Sequence, residues 1–127
     1  MQKSTKYVFI GFIILVAIFL IFKFTNNAST SPGKYDDFAK CLTTNDVKFY
    51  GSKFCPHCAN QKALFGNSFQ YINYIECSLP DRSQNQYCNT MKIQAYPTWE
   101  FKDGKRVEGE QSIKELSDLT NCTINIK

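Results

Sequence analysis

Surplus charge is the first thing this sequence lacks. The chain has 15 Lys and Arg against 11 Asp and Glu, but Lys3, Lys6 and Lys23 flank an apolar segment, which leaves 12 basic residues facing 11 acidic ones from Lys34 onward. That near-balance offers no basic face for a phosphate backbone, so nucleic acid is not an expected partner and the charges read as a mixed, solvated surface. Histidine is almost absent, with His57 the single copy. Internal repeats and low-complexity stretches are missing too, and so is a second C-x-x-C motif. The last absence bears on chemistry. A C-x-x-C can form half of a zinc site, with Cys77 and Cys88 supplying the other thiolates, but structural zinc takes closely spaced ligand pairs and ten residues separate these two.

The C-x-x-C that is present, Cys55-Pro56-His57-Cys58, therefore reads as a redox pair, two thiols able to close a disulfide and open it again. Val47 to Tyr50 is predicted as a short strand, Gly51 to Phe54 as a loop and Pro56 to Phe65 as a helix. Proline suits the first helical turn, where its missing N–H has no intrahelical partner. Unpaired N–H groups and the positive dipole end of that helix favour a thiolate, so Cys55 is the expected nucleophile and Cys58, one turn deeper, the resolving thiol. Pro56 and His57 are expected to tune the pair, His57 by stabilising the Cys55 anion. No metal and no cofactor are expected. Two non-enzymatic readings stand beside this one. A metal-handling module using Cys55, Cys58 and His57 would copurify with metal, and a tethered client-binding module would keep binding after loss of both cysteines.

Tyr7 to Phe22 is sixteen residues without a charge, bracketed by Lys6 and Lys23. With snorkelling lysines and flanking residues it reads as a single-pass anchor over residues 7–24, after a short cytoplasmic stretch at 1–6. A cleaved signal peptide is the alternative; the length of the run and the lack of an A-x-A site after it favour an anchor. Residues 25–33 read as a flexible linker and 34–127 as one exported domain. Six cysteines in a domain of this size agree with an oxidising compartment.

Within the domain, Lys34 to Thr43 is predicted helical, with Asp36-Asp37 in its first turn. Tyr71 to Ile75 is predicted as a strand, and Ser78 to Thr90 as a polar stretch with a short helix. Thr98 to Lys102 and Lys105 to Glu108 should form a hairpin around Asp103-Gly104. Ser112 to Leu119 should form a helix with Ser112 as N-cap and Ile113, Leu116 and Leu119 on one face. The fold class is α/β, a mixed sheet flanked by helices.

These motifs resemble the thioredoxin superfamily, in which a C-x-x-C follows a core strand and a proline, here in Tyr96-Pro97-Thr98, opens a later one. More narrowly, Tyr50-Gly51, Phe54 to Cys58, Gln61-Lys62, Phe65-Gly66, Ile75-Glu76-Cys77, Cys88 and Tyr96 to Trp99 resemble the thioredoxin-like domain fused to bacterial homologues of vitamin K epoxide reductase; the Cys-Pro-His-Cys itself is DsbA-like. The resemblance implies a thioredoxin-like fold and a cis Pro97 against the dithiol, with Tyr96 and Thr98 offering backbone groups to an extended substrate. It also implies a Cys77–Cys88 disulfide, which leaves Cys41 and Cys122 to pair with each other. Trp99 and Phe101 are expected in the core. The implied activity is thiol–disulfide exchange on exported cysteine-containing proteins, oxidation being favoured and a reductant or relay role the alternative. The implied partner is a separate quinone-linked membrane oxidoreductase of the vitamin K epoxide reductase or DsbB type. One departure stands out. Many relatives keep a buried acid six residues before the first active-site cysteine, and that position here is Phe49, which leaves water, Glu76 or no specific group as proton acceptor for Cys58.

Overall fold

A computed structural model describes residues 10–19 and 31–126. The chain divides into two compact units, one up to Thr30 and one from Ser31. In the first, residues 10–19 are helical and bear exposed Ile10, Phe12, Ile13 and Leu15. Residues 1–6, both ends of the expected 7–24 span and the linker up to residue 30 lie outside the described residues. Among the described residues no helix is long and apolar enough to cross a membrane.

The second unit is a mixed α/β domain compatible with a thioredoxin-like fold. Helix α1 (Asp36–Thr44) precedes strand β1 (Lys48–Gly51), helix α2 (Pro56–Phe65) and a 3-10 helix (Gly66–Tyr71). Strand β2 (Asn73–Glu76), helix α3 (Gln86–Thr90), strands β3 (Thr98–Glu100) and β4 (Arg106–Glu108) and helix α4 (Ile113–Thr120) follow. The sheet order is β2-β1-β3-β4, with β1 parallel to β2 and the pairs β1/β3 and β3/β4 antiparallel.

Alternation along the strands divides the core in two. Phe49 and Trp99 are fully buried on one side with Phe38 and Leu42 of α1, Phe65 of α2 and Leu116 of α4. Tyr50 turns to the other side with Ile93 and the Cys77–Cys88 disulfide. The Phe49 and Trp99 rings meet edge to face at 4.7 Å, an arrangement that adds about 0.5–1.5 kcal/mol beyond area burial. Buried Gln61 ties α2 to this core. Its Nε2 donates to the Gln111 carbonyl at 2.9 Å, and its Oε1 accepts from Gln111 N–H at 2.7 Å and from Trp99 Nε1 at 3.4 Å.

Several boundaries differ from the sequence reading. The Tyr71–Ile75 strand starts later because Tyr71 is held by α1: Thr43 Oγ1 donates to its carbonyl and Lys40 Nζ lies 4.3 Å from its ring centroid. Pairing with β1 then begins at Asn73, opposite Lys48. Ser31 and Gly33, read as linker, already belong to the domain: Asn67 Nδ2 donates to the Ser31 carbonyl at 3.2 Å, and a Cβ on Gly33 would stand 2.4 Å from Ser68 N, so only glycine fits there. Ser112 caps α4 in a reciprocal capping box with Glu115. Leu119, expected on the buried face of that helix, is 38% exposed, because the apolar face ends with Leu116.

Candidate active site

The loop after β1 delivers the two free thiols to the start of α2. Cys55 is the N-cap, in extended backbone geometry, with Pro56 at the first helical position. Its N–H donates to the Ser52 carbonyl at 3.1 Å, which closes the loop, and its Sγ is half-buried at the positive end of the helix. Cys58 lies one turn on, with no exposed surface. The two sulfurs thus differ in access, and only Cys55 can be reached from outside.

Burial pushes the Cys58 thiol up to about 12; the Ser52 N–H and Lys62 oppose that rise, and the neighbouring Cys55 thiol adds to it. Cys58 is therefore a neutral thiol in the dithiol state at ordinary pH. The backbone is packed tightly beneath it, since a Cβ on Gly51 would stand 3.1 Å from Cys58 Sγ and 3.0 Å from Tyr74 Cε2.

The residues expected to line a groove separate into two groups. The Tyr96–Pro97 bond is cis, and the Cys55 thiol donates to the Tyr96 carbonyl at 3.5 Å. The Tyr96 hydroxyl donates to Gln84 Oε1. Pro97 is buried, and its carbonyl accepts from Gly109 N–H at 2.8 Å. Thr98 is drawn into the sheet between Tyr50 and Glu108, its Oγ1 donating to the Ala95 carbonyl at 2.8 Å.

His57 is exposed, and its Nδ1 meets Glu110 Oε1 at 2.6 Å. Asn60 Nδ2 donates to the same oxygen at 3.2 Å. These bonds, His57 first, hold the Glu110 carboxyl below the usual carboxylate range. The sequence offers no sign of Glu110, which reaches the site from the loop after β4.

Glu76 ends β2 beside the dithiol loop. Burial opposes its ionisation, but hydrogen bonds from Ser78 and Tyr74, with the Ser78 and Lys53 N–H groups, hold its carboxyl at about 2. Burial first, then the Glu76 bond, pushes the Tyr74 phenol well above its ordinary range. The sign of the Glu76 effect is that of a lowered carboxylate, so stability is present above about pH 4.5 and is lost as pH falls toward 2. Glu76→Gln is expected to cost roughly 3 kcal/mol in urea unfolding at pH 7, a gap that closes near pH 2. A gap that does not change with pH would place the loss in packing instead.

The four remaining cysteines form two disulfides. Cys77–Cys88 joins the end of β2 to α3, and Cys41–Cys122 joins α1 to the segment after α4. With Cys77 and Cys88 bonded to each other, the four-thiolate zinc alternative loses its second ligand pair. Among the described residues, no group of three or more His, Cys, Asp and Glu is placed to hold a metal ion.

A mixed α/β domain with a half-buried thiol at a helix N-cap and a buried one a turn deeper defines a redox-capable dithiol module. Its sequence is similar to that of the thiol-disulfide oxidoreductase LTO1 of Arabidopsis thaliana, 32% identical over 109 residues. The match covers 80% of this chain but 28% of that protein, so the chain spans little more than a quarter of its relative's length. No family model matches the chain.

Proposed function

We propose that this chain is a membrane-anchored thiol–disulfide oxidoreductase whose domain works outside the cytoplasm, oxidising exported cysteine-containing proteins. The observation that carries the reading is the unequal dithiol, Cys55 reachable and Cys58 wholly buried. A substrate thiolate attacks Cys55 Sγ of the disulfide form, and Cys58 leaves as a thiolate and takes up a proton. A second substrate thiolate then attacks the substrate sulfur of the mixed disulfide. The substrate disulfide forms, and Cys55 is released reduced. A quinone-linked membrane oxidoreductase of the vitamin K epoxide reductase or DsbB type would withdraw two electrons and restore the Cys55–Cys58 bond. The apolar run from Tyr7 to Phe22 supports the anchor, and two disulfides elsewhere in the domain support an oxidising compartment. In this reading His57, held by Glu110, tunes the Cys55 thiolate, and the Tyr96 carbonyl orients the incoming chain.

The test is the reduction potential of the full chain, equilibrated in glutathione buffers with alkylation of Cys55 as readout. A value of about −120 to −180 mV fits an oxidant, and one near about −270 mV fits the reductant or relay instead. Potentials of about −120 and about −270 mV differ by roughly 7 kcal/mol for a two-electron couple, which is ample to decide direction.

A further inference from the structure

Where Cys58, in place of a second substrate thiolate, resolves a mixed disulfide on Cys55, it must lose its proton inside the core, and among the described residues around it none is a competent base. Phe49 stands where relatives are expected to carry an acid, and its side chain is fully buried hydrocarbon. Glu76 is saturated: it accepts from Tyr74 OH at 2.5 Å, Ser78 N–H at 2.9 Å, Lys53 N–H at 3.1 Å and the Ser78 hydroxyl. A carboxylate held at about 2 takes up no proton near neutrality.

What the site does contain is a cation. Lys62 follows Cys58 by one turn of α2, so the two side chains share a face of that helix. Its Nζ lies 3.7 Å from the Tyr74 ring centroid and 5.4 Å from that of Phe69, a double ring contact that holds a long side chain in one place. The Tyr74 ring edge and Cys58 Sγ share the narrow space over Gly51. Tyr74 therefore links the ammonium to the buried sulfur.

The geometry points to Lys62, seated on the Tyr74 and Phe69 rings, as the positioning residue whose charge supports the Cys58 thiolate when a mixed disulfide on Cys55 is resolved. The inference rests on the exchange reading above and names the device that replaces a buried acid. The other titratable groups facing this space are Cys55 ahead of α2, Tyr74 and Glu76 on β2, and Tyr96 ahead of β3. Tyr74 is kept protonated by burial and by its bond to Glu76, so it adds no negative charge near neutrality. Lys62 is the cation that lowers the cost of ionising Cys58. The Cys58 proton itself leaves to solvent.

The aromatic disulfide dithiobis(nitrobenzoate) separates the steps in a single stopped-flow trace of the reduced full chain. In the first phase Cys55 attacks the reagent, forms a mixed disulfide and releases one coloured thiolate. In the second, Cys58 attacks Cys55 Sγ, the protein disulfide closes and a second coloured thiolate leaves. Lys62→Met is expected to slow the second phase about tenfold at pH 7 and to move its pH profile upward by about one unit, the first phase staying within about threefold. Lys62→Arg, which keeps the charge, is expected to restore the profile. An unmoved profile in Lys62→Met overturns the proposal, as does an equal shift in Lys62→Met and Lys62→Arg, which marks a packing role. Absence of the first phase in the parent protein removes the exchange reading and this proposal with it, an outcome distinct from the other two.

Discussion

Cys55→Ser is expected to reduce thiol–disulfide exchange by a factor on the order of 10³ or more, because a serine hydroxyl neither ionises near neutral pH nor forms a mixed disulfide. Cys58→Ser is expected to behave differently. Its Cys55 thiolate remains accessible and attacks a client disulfide, releasing one client thiolate; with Cys58 gone the mixed disulfide accumulates, visible as extra bands on a non-reducing gel that vanish on reduction. The asymmetry follows from burial, since Cys58 has no exposed surface and cannot meet a protein substrate directly. Exchange at the parent rate in Cys55→Ser would falsify the proposed function. Trapping by Cys55→Ser in place of Cys58→Ser would reverse the two roles.

The second large effect concerns stability. Cys41 and Cys122 are 81 residues apart in sequence and close nearly the whole domain into a loop, whereas Cys77 and Cys88 are 11 apart. In the chain-entropy picture, removing the long link costs about 4.5 kcal/mol and removing the short one about 3. Asn45 Nδ2 donates to Cys122 Sγ at 3.2 Å and to Cys41 Sγ at 3.6 Å, bonds lost with the sulfurs. For a domain of this size the paired variant Cys41→Ala/Cys122→Ala is expected to melt roughly 20 °C lower. Calorimetry with Cys55 and Cys58 held reduced checks this. Exchange rates measured below the variant's melting transition should match the parent. A loss of exchange in the still-folded variant would make this pair an electron relay and not a staple.

Local pattern carried much of the fold. The 3.6-residue spacing of Phe38, Cys41 and Leu42 fits α1, and Ser112 with Glu115 fixes the start of α4. Asp103-Gly104 separates the β3 and β4 strands, and Pro56 marks the first turn of α2. Where the structure departs from local pattern, the rest of the fold is responsible. Tyr71 has strand propensity, but Thr43 and Lys40 of α1 hold it in the 3-10 turn. Leu119 continues the apolar spacing of α4, yet the core it would cover has already ended.

For the site, the sequence by itself determined the dithiol, its place at a helix start and the inequality of its sulfurs, because neighbours in a chain fix backbone geometry within one turn. The tertiary structure alone decided that His57 meets Glu110, that Glu76 is saturated by Tyr74, Ser78 and Lys53, and that Lys62 rests on the Tyr74 and Phe69 rings near Cys58. A short-range code specifies turns, caps and periodic faces. The electrostatic surroundings of a buried sulfur depend on which distant segments the sheet order brings against it, and that order is set by packing of the whole core.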